Sequence, residues 1–209
     1  MREINRKVFL AFTTVALLGF AWMTTVCRAE QDLISAGDFE NYAGQDLKNL
    51  LAGVDSLGLR LDPWYDLKAW SLVDDPALCH GGEQCLHLKV DKADPKAEYI
   101  VGAYLSKVPV KPVSLSIAAK GNGSLRITLH YYQYEGPQRT PAWKGNCGMH
   151  EITATPEWKI STMDFSAVPA GMDKAAFTIQ VKPGSNGGID MFLDDISATE
   201  TNPQEKTGN

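Results

Sequence analysis

The two stretches that decide the fold lie near opposite ends of the chain: Leu33-Ile34-Ser35-Ala36-Gly37-Asp38-Phe39-Glu40 and Met191-Phe192-Leu193-Asp194-Asp195-Ile196-Ser197. Both alternate apolar and polar residues, the pattern of a β-strand with one buried face, and both carry carboxylates at the strand edge. The residues between them form short strand patterns that are broken by glycine and proline. This arrangement predicts an all-β domain that opens with the first stretch and closes with the second.

The first 29 residues are predicted to be a cleaved signal peptide. Arg2, Arg6 and Lys7 form a basic start, residues 8–26 carry no charge, and Ala29 offers a small residue for the peptidase. The apolar run is long enough for the alternative of an uncleaved membrane anchor, but four threonines dilute it. Lipidation at Cys27 is the weaker alternative. Cleavage predicts a secreted, periplasmic or cell-envelope protein with no further contact to the membrane.

Charge and length limit the function of the remaining chain. The full chain of 209 residues has a net charge of −5, and the loss of residues 1–29 lowers it to −8 because four basic residues and one acidic residue leave. No basic cluster is present, which disfavours a nucleic-acid partner. The length of residues 30–199 suits one domain with one core, and the polar residues 200–209 predict a disordered tail.

Eight further segments have strand patterns, and their density predicts a β-sandwich. These segments are 68–74, 84–91, 97–108, 113–120, 124–134, 156–165, 174–182 and 189–198. Before them, apolar residues at spacings of three and four predict one short inserted helix over residues 45–57, which Gly58 and Pro63 would end.

Several segments together resemble the CenC-like carbohydrate-binding modules, which are galactose-binding-like jelly rolls. The first and last strands resemble the family's "N-G-D-F-E" and "D-D-V/I" strands, residues 112–121 its "Y-x-L-S-F-W-A-K-G" strand, and residues 155–159 its "T-x-x-W-K" segment. Ala118 and Ala119 stand where the family often has a large aromatic residue. The resemblance spans about residues 32–199 and implies a jelly-roll β-sandwich in which the first and last strands lie side by side.

The same resemblance implies a structural calcium ion between those two strands. Carried over from the family, its ligands would be the Glu40 side chain, the Asp38 carbonyl, the Asp194 carboxylate and Glu83. Oxygen ligands are what calcium requires, and adjacent carboxylates would repel each other without a cation. The alternative is that these carboxylates are merely charges at a strand edge.

The cysteines predict a disulfide in an exported protein. Cys79 and Cys85 flank a five-residue loop with two glycines, which eases a tight closure, and Cys147 is left over as a buried thiol or as a partner of one of the others. A transition-metal site at Cys79, His80, Cys85 and His87, or at Cys147, Met149 and His150, is the less favoured alternative.

The segment 124–134 is the best candidate for a ligand surface. Side chains alternate along a strand, so Leu125, Ile127, Leu129 and Tyr131 are predicted to face the core. The opposite face carries a mixture of aromatic and hydrogen-bonding side chains, which suits the apolar faces and the hydroxyls of a sugar. Its predicted ligand residues are Arg126, Thr128, His130, Tyr132 and Tyr134. An ordinary solvated sheet face would have a similar composition.

Trp143 is predicted to lie exposed in a loop over residues 137–148, where it would form a second sugar platform or pack over the sandwich edge. Trp158 is predicted to belong to the core. The sequence contains no Gly-x-Ser-x-Gly elbow, phosphate loop or His-Glu-x-x-His motif, which disfavours catalysis. The sequence therefore predicts a non-catalytic module that binds a polysaccharide or glycan. The alternative is a structural domain without a sugar site, which would contact another protein of the cell envelope.

Overall fold

A computed structural model of the chain describes residues 32–34, 39–40, 59–61, 69–94 and 99–202. The predicted signal peptide and the predicted helix over 45–57 lie outside these residues, as do Asp38 and residues 203–209. No helix in the described part of the chain is long and apolar enough to cross a membrane.

The described chain is a sandwich of two antiparallel five-stranded sheets, as predicted. We call the sheet with strand order β1-β4-β9-β6-β7 the front sheet and the sheet with order β2-β3-β10-β5-β8 the back sheet. The ten strands are β1 (Leu59–Leu61), β2 (Trp70–Asp74), β3 (Gln84–Val90), β4 (Tyr99–Tyr104), β5 (Val113–Asn122), β6 (Ser124–Glu135), β7 (Thr140–Thr153), β8 (Lys159–Phe165), β9 (Lys174–Lys182) and β10 (Ile189–Glu200).

The core lies between the two sheets and is filled by every second residue of the central strands. In the front sheet, Leu125, Ile127 and Leu129 of β6 are fully buried, which confirms the predicted inward face. In the back sheet, Leu115 and Ile117 of β5 are likewise fully buried. These side chains belong to one apolar cluster, and burial of each contributes about 1.5–3 kcal/mol.

Leu33 lies beside the last strand, as the resemblance implies, but the predicted opening strand is not formed by residues 33–34 and 39–40, the part of it that the structure describes. The amide of Leu33 donates to the carbonyl of Ala198 on β10 at 2.7 Å, and the amide of Ala198 donates to the Asp32 carboxylate at 2.9 Å. Leu33 is completely buried. A register shift between Asp194 and Ser197, with Asp195 at φ 47°, lets Ile196 return to the core side of β10.

All eight predicted strand segments contain a strand, with bounds that differ by a few residues. Two strands were not predicted. β1 is only three residues long, and β7 occupies the stretch that was interpreted as a loop over 137–148. β7 is the last strand of the front sheet, a position where proline and glycine are tolerated, so Pro141, Gly145 and Gly148 do not interrupt it.

Two smaller expectations were wrong. Trp158 is only half-buried, and it lies on the outer side of the back sheet, where its indole N–H donates to the carbonyl of Leu78 at 3.2 Å. The predicted start of the disordered tail at residue 200 is too early. Glu200 is the last residue of β10 and accepts a hydrogen bond from Lys107 at 2.7 Å. The backbone amide of Thr201 also donates a hydrogen bond to the carbonyl of Pro112.

Candidate functional site

The outward face of the front sheet collects most of the predicted ligand residues. Strand register places Tyr132 of β6 directly opposite Trp143 of β7, and it places His130 opposite Asn146. Trp143 is 58% exposed, whereas His130, Tyr132 and Tyr134 are half-buried. We call this surface the exposed front face.

Trp143 reaches this face because β7 is irregular there. The register between β6 and β7 shifts between Tyr131 and Tyr132, next to Gly145, whose φ is 152°. A Cβ atom on Gly145 would lie 2.5 Å from the hydroxyl oxygen of Tyr131, so only glycine fits at this approach. The shift sets Trp143 beside Tyr132 on a strand, which corrects its predicted place in a loop.

Two strands that the sequence did not connect with the site complete the surface. Tyr104 of β4 and Lys174 of β9 lie on the same face, with the Lys174 ammonium 3.5 Å from the centroid of the Tyr104 ring. Tyr104, Tyr132 and Trp143 therefore form a band that crosses from β4 to β7, which we call the aromatic band. Three strand spacings of about 4.8 Å give it a width of roughly 14 Å.

Polar groups lie close to the aromatic band. His130 Nε2 lies 2.9 Å from the Thr178 hydroxyl oxygen, and the Trp143 indole N–H donates to His130 Nδ1 at 3.1 Å. The Asp173 carboxylate accepts the Tyr134 amide at 2.8 Å, and the Arg139 guanidinium lies 5.0 Å from the Tyr134 ring centroid. Burial lowers the pKa of His130 below its ordinary value.

Arg126 lies apart from this group. It is six residues from Tyr132 along β6, which corresponds to about 20 Å. Its guanidinium is 3.8 Å from the Glu151 carboxylate, which is also bound by Lys182 at 3.0 Å. Thr128 lies opposite Thr178 in the strand register, but it is only 8% exposed. The predicted set therefore divides into a central group at the aromatic band, a nearly buried threonine beside it and a peripheral ion pair.

Of the residues expected to bind calcium, the three that the structure describes, Glu40, Glu83 and Asp194, lie at one end of the back sheet and make other contacts. The Glu40 carboxylate accepts the Glu83 amide at 2.9 and 3.0 Å and the Gln84 amide at 3.1 Å. A Cβ atom on Gly82 would lie 2.0 Å from a Glu40 carboxylate oxygen, so glycine is needed for this approach. The Glu83 side chain is exposed, and this residue contributes its backbone instead.

Asp194 is bound in the same way. Its fully buried carboxylate accepts the amides of His80 at 3.0 Å, Gly81 at 3.2 Å and Asp195 at 2.8 Å. Burial raises the pKa of Asp194, although these amides oppose the effect. Residues 79–85, which we call the 79–85 loop, thus supply every donor to the two carboxylates named here except the Asp195 amide.

These amide contacts already satisfy the carboxylates of Glu40 and Asp194 that the resemblance assigns to calcium, an ion that takes six to eight oxygen ligands. Because Asp38 lies outside the described residues, the calcium site stays a prediction. Within the described ranges, no three His, Cys, Asp or Glu residues are grouped so that they could hold a metal ion. The two transition-metal alternatives find no support in the same residues. His80 and His87 each contact a carboxylate, of Asp195 at 2.6 Å and of Asp190 at 2.8 Å.

The expected disulfide is not formed in the structure, where Cys79 and Cys85 are free thiols. Their sulfur atoms are nevertheless 2.7 Å apart, and both residues are buried. Burial is the main cause that raises the pKa of the Cys79 thiol. Burial is also the main cause that raises the pKa of the Cys85 thiol, beyond its ordinary range. Cys147 lies away from them, with its sulfur 3.5 Å from the carbonyl of Ala167.

Two solved structures that share this architecture are carbohydrate-binding modules. A family-61 carbohydrate-binding module, solved in complex with β-1,4-galactotriose, aligns with a TM-score of 0.51 and 16% identity over 82% of this chain and 100% of that one. The chain has the fold of a carbohydrate-binding module. A tandem of two family-22 modules from Paenibacillus barcinonensis aligns with a TM-score of 0.53 and 13% identity, over 85% of this chain and 51% of that tandem.

At the level of sequence, no family model and no curated protein matches this chain. The structural likeness therefore confirms the module fold that the resemblance implied, whereas membership of the CenC-like family stays a prediction.

Proposed function

We propose that this protein is a non-catalytic module that binds a glycan across the exposed front face. The observation that carries the proposal is the aromatic band, in which the exposed Trp143 stands beside Tyr132 on adjacent strands. A rigid sheet holds these rings, so little conformational entropy is lost when a sugar stacks on them.

The surrounding polar groups match the second requirement of a sugar. Hydroxyl groups need hydrogen-bonding partners, and Thr178 and Lys174 provide such groups within the same region. Aromatic rings present the apolar surface on which the C–H face of a pyranose packs. Because the family-61 neighbour was solved in complex with β-1,4-galactotriose, this sugar is the first ligand to try, at the start of a wider glycan screen.

Export and an envelope or extracellular location belong to this proposal and rest on residues 1–29 alone. The absence of recognised catalytic motifs supports a binding role. A protein-interaction domain on the same fold is the competing function, and it would use the exposed front face without any sugar.

Titration calorimetry with the mature protein tests the proposal after a glycan-array screen. Trp143→Ala and Tyr132→Ala should each weaken binding about fivefold to thirtyfold, because the packing of a sugar on an aromatic ring is worth about 1–2 kcal/mol. Trp143→Ala should keep the melting temperature of the parent protein, since an exposed substitution costs little stability, whereas Tyr132→Ala should lower it slightly because Tyr132 is half-buried.

Ile160→Ala is the matched control. Ile160 is 55% exposed on β8, the last strand of the back sheet, as Trp143 is on the last strand of the front sheet. This variant should bind the glycan like the parent protein. If no glycan on the array binds at millimolar concentration, the protein-interaction function replaces the sugar-binding one.

A further inference from the structure

The His130 imidazole lies between two other side chains of the exposed front face. Its Nδ1 atom is 3.1 Å from the indole nitrogen of Trp143, and its Nε2 atom is 2.9 Å from the Thr178 hydroxyl. The rings of His130 and Trp143 meet edge to face at 60°, with centroids 6.5 Å apart. Three strands, β6, β7 and β9, thus contribute one side chain each to a short chain of polar contacts.

The chemistry of these groups fixes the direction of each hydrogen bond. An indole N–H can only donate, so Nδ1 of His130 has to be an unprotonated acceptor. The ring proton of neutral His130 then resides on Nε2, which donates to the Thr178 oxygen. The hydroxyl hydrogen of Thr178 is left for another acceptor, such as a sugar hydroxyl.

We infer that neutral His130 is a positioning residue that fixes the Trp143 indole as a stacking platform, and that protonation of His130 weakens glycan binding. The inference rests on the proposed function and assigns His130 a different role from direct contact with the sugar. On protonation, Nδ1 would carry a hydrogen and face the indole N–H donor, so the Trp143–His130 hydrogen bond would be lost.

The surroundings of His130 favour the neutral ring. Its register neighbours are Ala176 on β9 and Asn146 on β7, neither of which is charged. Lys174 on β9 is a cation on the same face beside Tyr104 of β4. Arg126 is the next cation along β6, four residues or about 13 Å from His130, and it pairs with the Glu151 carboxylate of β7, which Lys182 also binds. Burial lowers the pKa of His130 in the same direction.

Nuclear magnetic resonance of the mature protein without ligand tests the positioning role directly. The Trp143 indole N–H signal, assigned by its loss in Trp143→Phe, is followed between about pH 4.5 and pH 8, either side of the ordinary histidine pKa of about 6.5. The signal should move with the same midpoint as the His130 ring, and that midpoint should lie below the ordinary value. An indole signal that stays constant while His130 titrates would overturn the inference.

His130→Gln and His130→Ala provide the matched pair of variants. Glutamine can accept from the indole and donate to Thr178 but does not titrate, so His130→Gln should keep the neutral-pH indole position at every pH. His130→Ala should show a displaced indole signal and bind the array-selected glycan about fivefold more weakly, as expected for one lost hydrogen bond.

The binding measurements separate this inference from the proposed function. If the indole signal follows His130 but neither galactotriose nor any array glycan binds, the positioning role stands and the sugar-binding function fails. If a glycan binds with equal affinity to His130→Gln, His130→Ala and the parent at all pH values, the sugar-binding function stands and the inference is wrong.

Discussion

The 79–85 loop and the exposed front face both concentrate polar groups, but they satisfy those groups differently. At the loop, backbone amides bind the carboxylates of Glu40 and Asp194, and the Asp194 carboxylate is completely buried. At the exposed front face, side chains bind one another. The indole of Trp143, an exposed residue, donates a hydrogen bond to His130. The difference indicates that the loop fixes the fold, whereas the front face is built on a fold that is already fixed.

The contrast predicts that the largest loss of stability comes from Asp194. Asp194→Ala leaves the amides of His80 and Gly81 without an acceptor and should lower the free energy of unfolding by about 2–4 kcal/mol. Urea denaturation measures this loss. Glycan affinity at the front face should stay unchanged in whatever fraction remains folded.

Asp190→Ala is the control for that variant. Asp190 is exposed on the same strand and contacts His87, and an exposed pair of this kind contributes at most about 1 kcal/mol. Equal losses for Asp194→Ala and Asp190→Ala would contradict the assignment of a structural role to the amides of the loop.

The second effect concerns Cys79 and Cys85. We predict that they are bonded in the exported protein, because their sulfur atoms already lie 2.7 Å apart within one loop. Closing so short a loop should stabilise the fold by about 2 kcal/mol, so the double variant Cys79→Ser/Cys85→Ser should melt at a lower temperature. Cys147→Ser should melt close to the parent. Peptide mapping without reductant that finds both thiols free would refute the pairing.

The smallest expected effect is that of calcium. The amide contacts of Glu40 and Asp194 predict that a chelator leaves the melting temperature unchanged, since no cation is needed to hold these carboxylates. A calcium ion that binds only the folded state would instead add about 2.7 kcal/mol at 100 times its dissociation constant. A melting temperature that falls with chelator and returns with calcium would restore the calcium site expected from the family resemblance.

The fold was predictable from the sequence wherever apolar residues alternate regularly. β6 and β10 alternate over most of their length, and Leu125, Ile127 and Leu129, which were predicted to face inward on β6, are buried. β7 was missed because Pro141, Gly145 and Gly148 are typical of loops, and they are compatible with a strand only because β7 lies at the end of a sheet.

The candidate site was predictable only along a single strand. The outward side chains of β6 follow from alternation, but Tyr104, Lys174 and Thr178 join them through pairing between strands that are distant in the sequence. The role of the carboxylates was not predictable either. Composition shows that Asp194 and Glu40 are acidic, whereas only the structure shows that backbone amides lie against them.

The irregularity of β7 has a consequence for the solubility of the protein. A fourteen-residue strand at the end of a sheet would otherwise offer a long row of unpaired backbone groups to a second molecule. Pro141 cannot donate a backbone hydrogen bond, the register shifts bend the strand, and Lys144 adds a charge. The irregular features of β7, whose sequence is typical of a loop, thus also protect the module against edge-to-edge association.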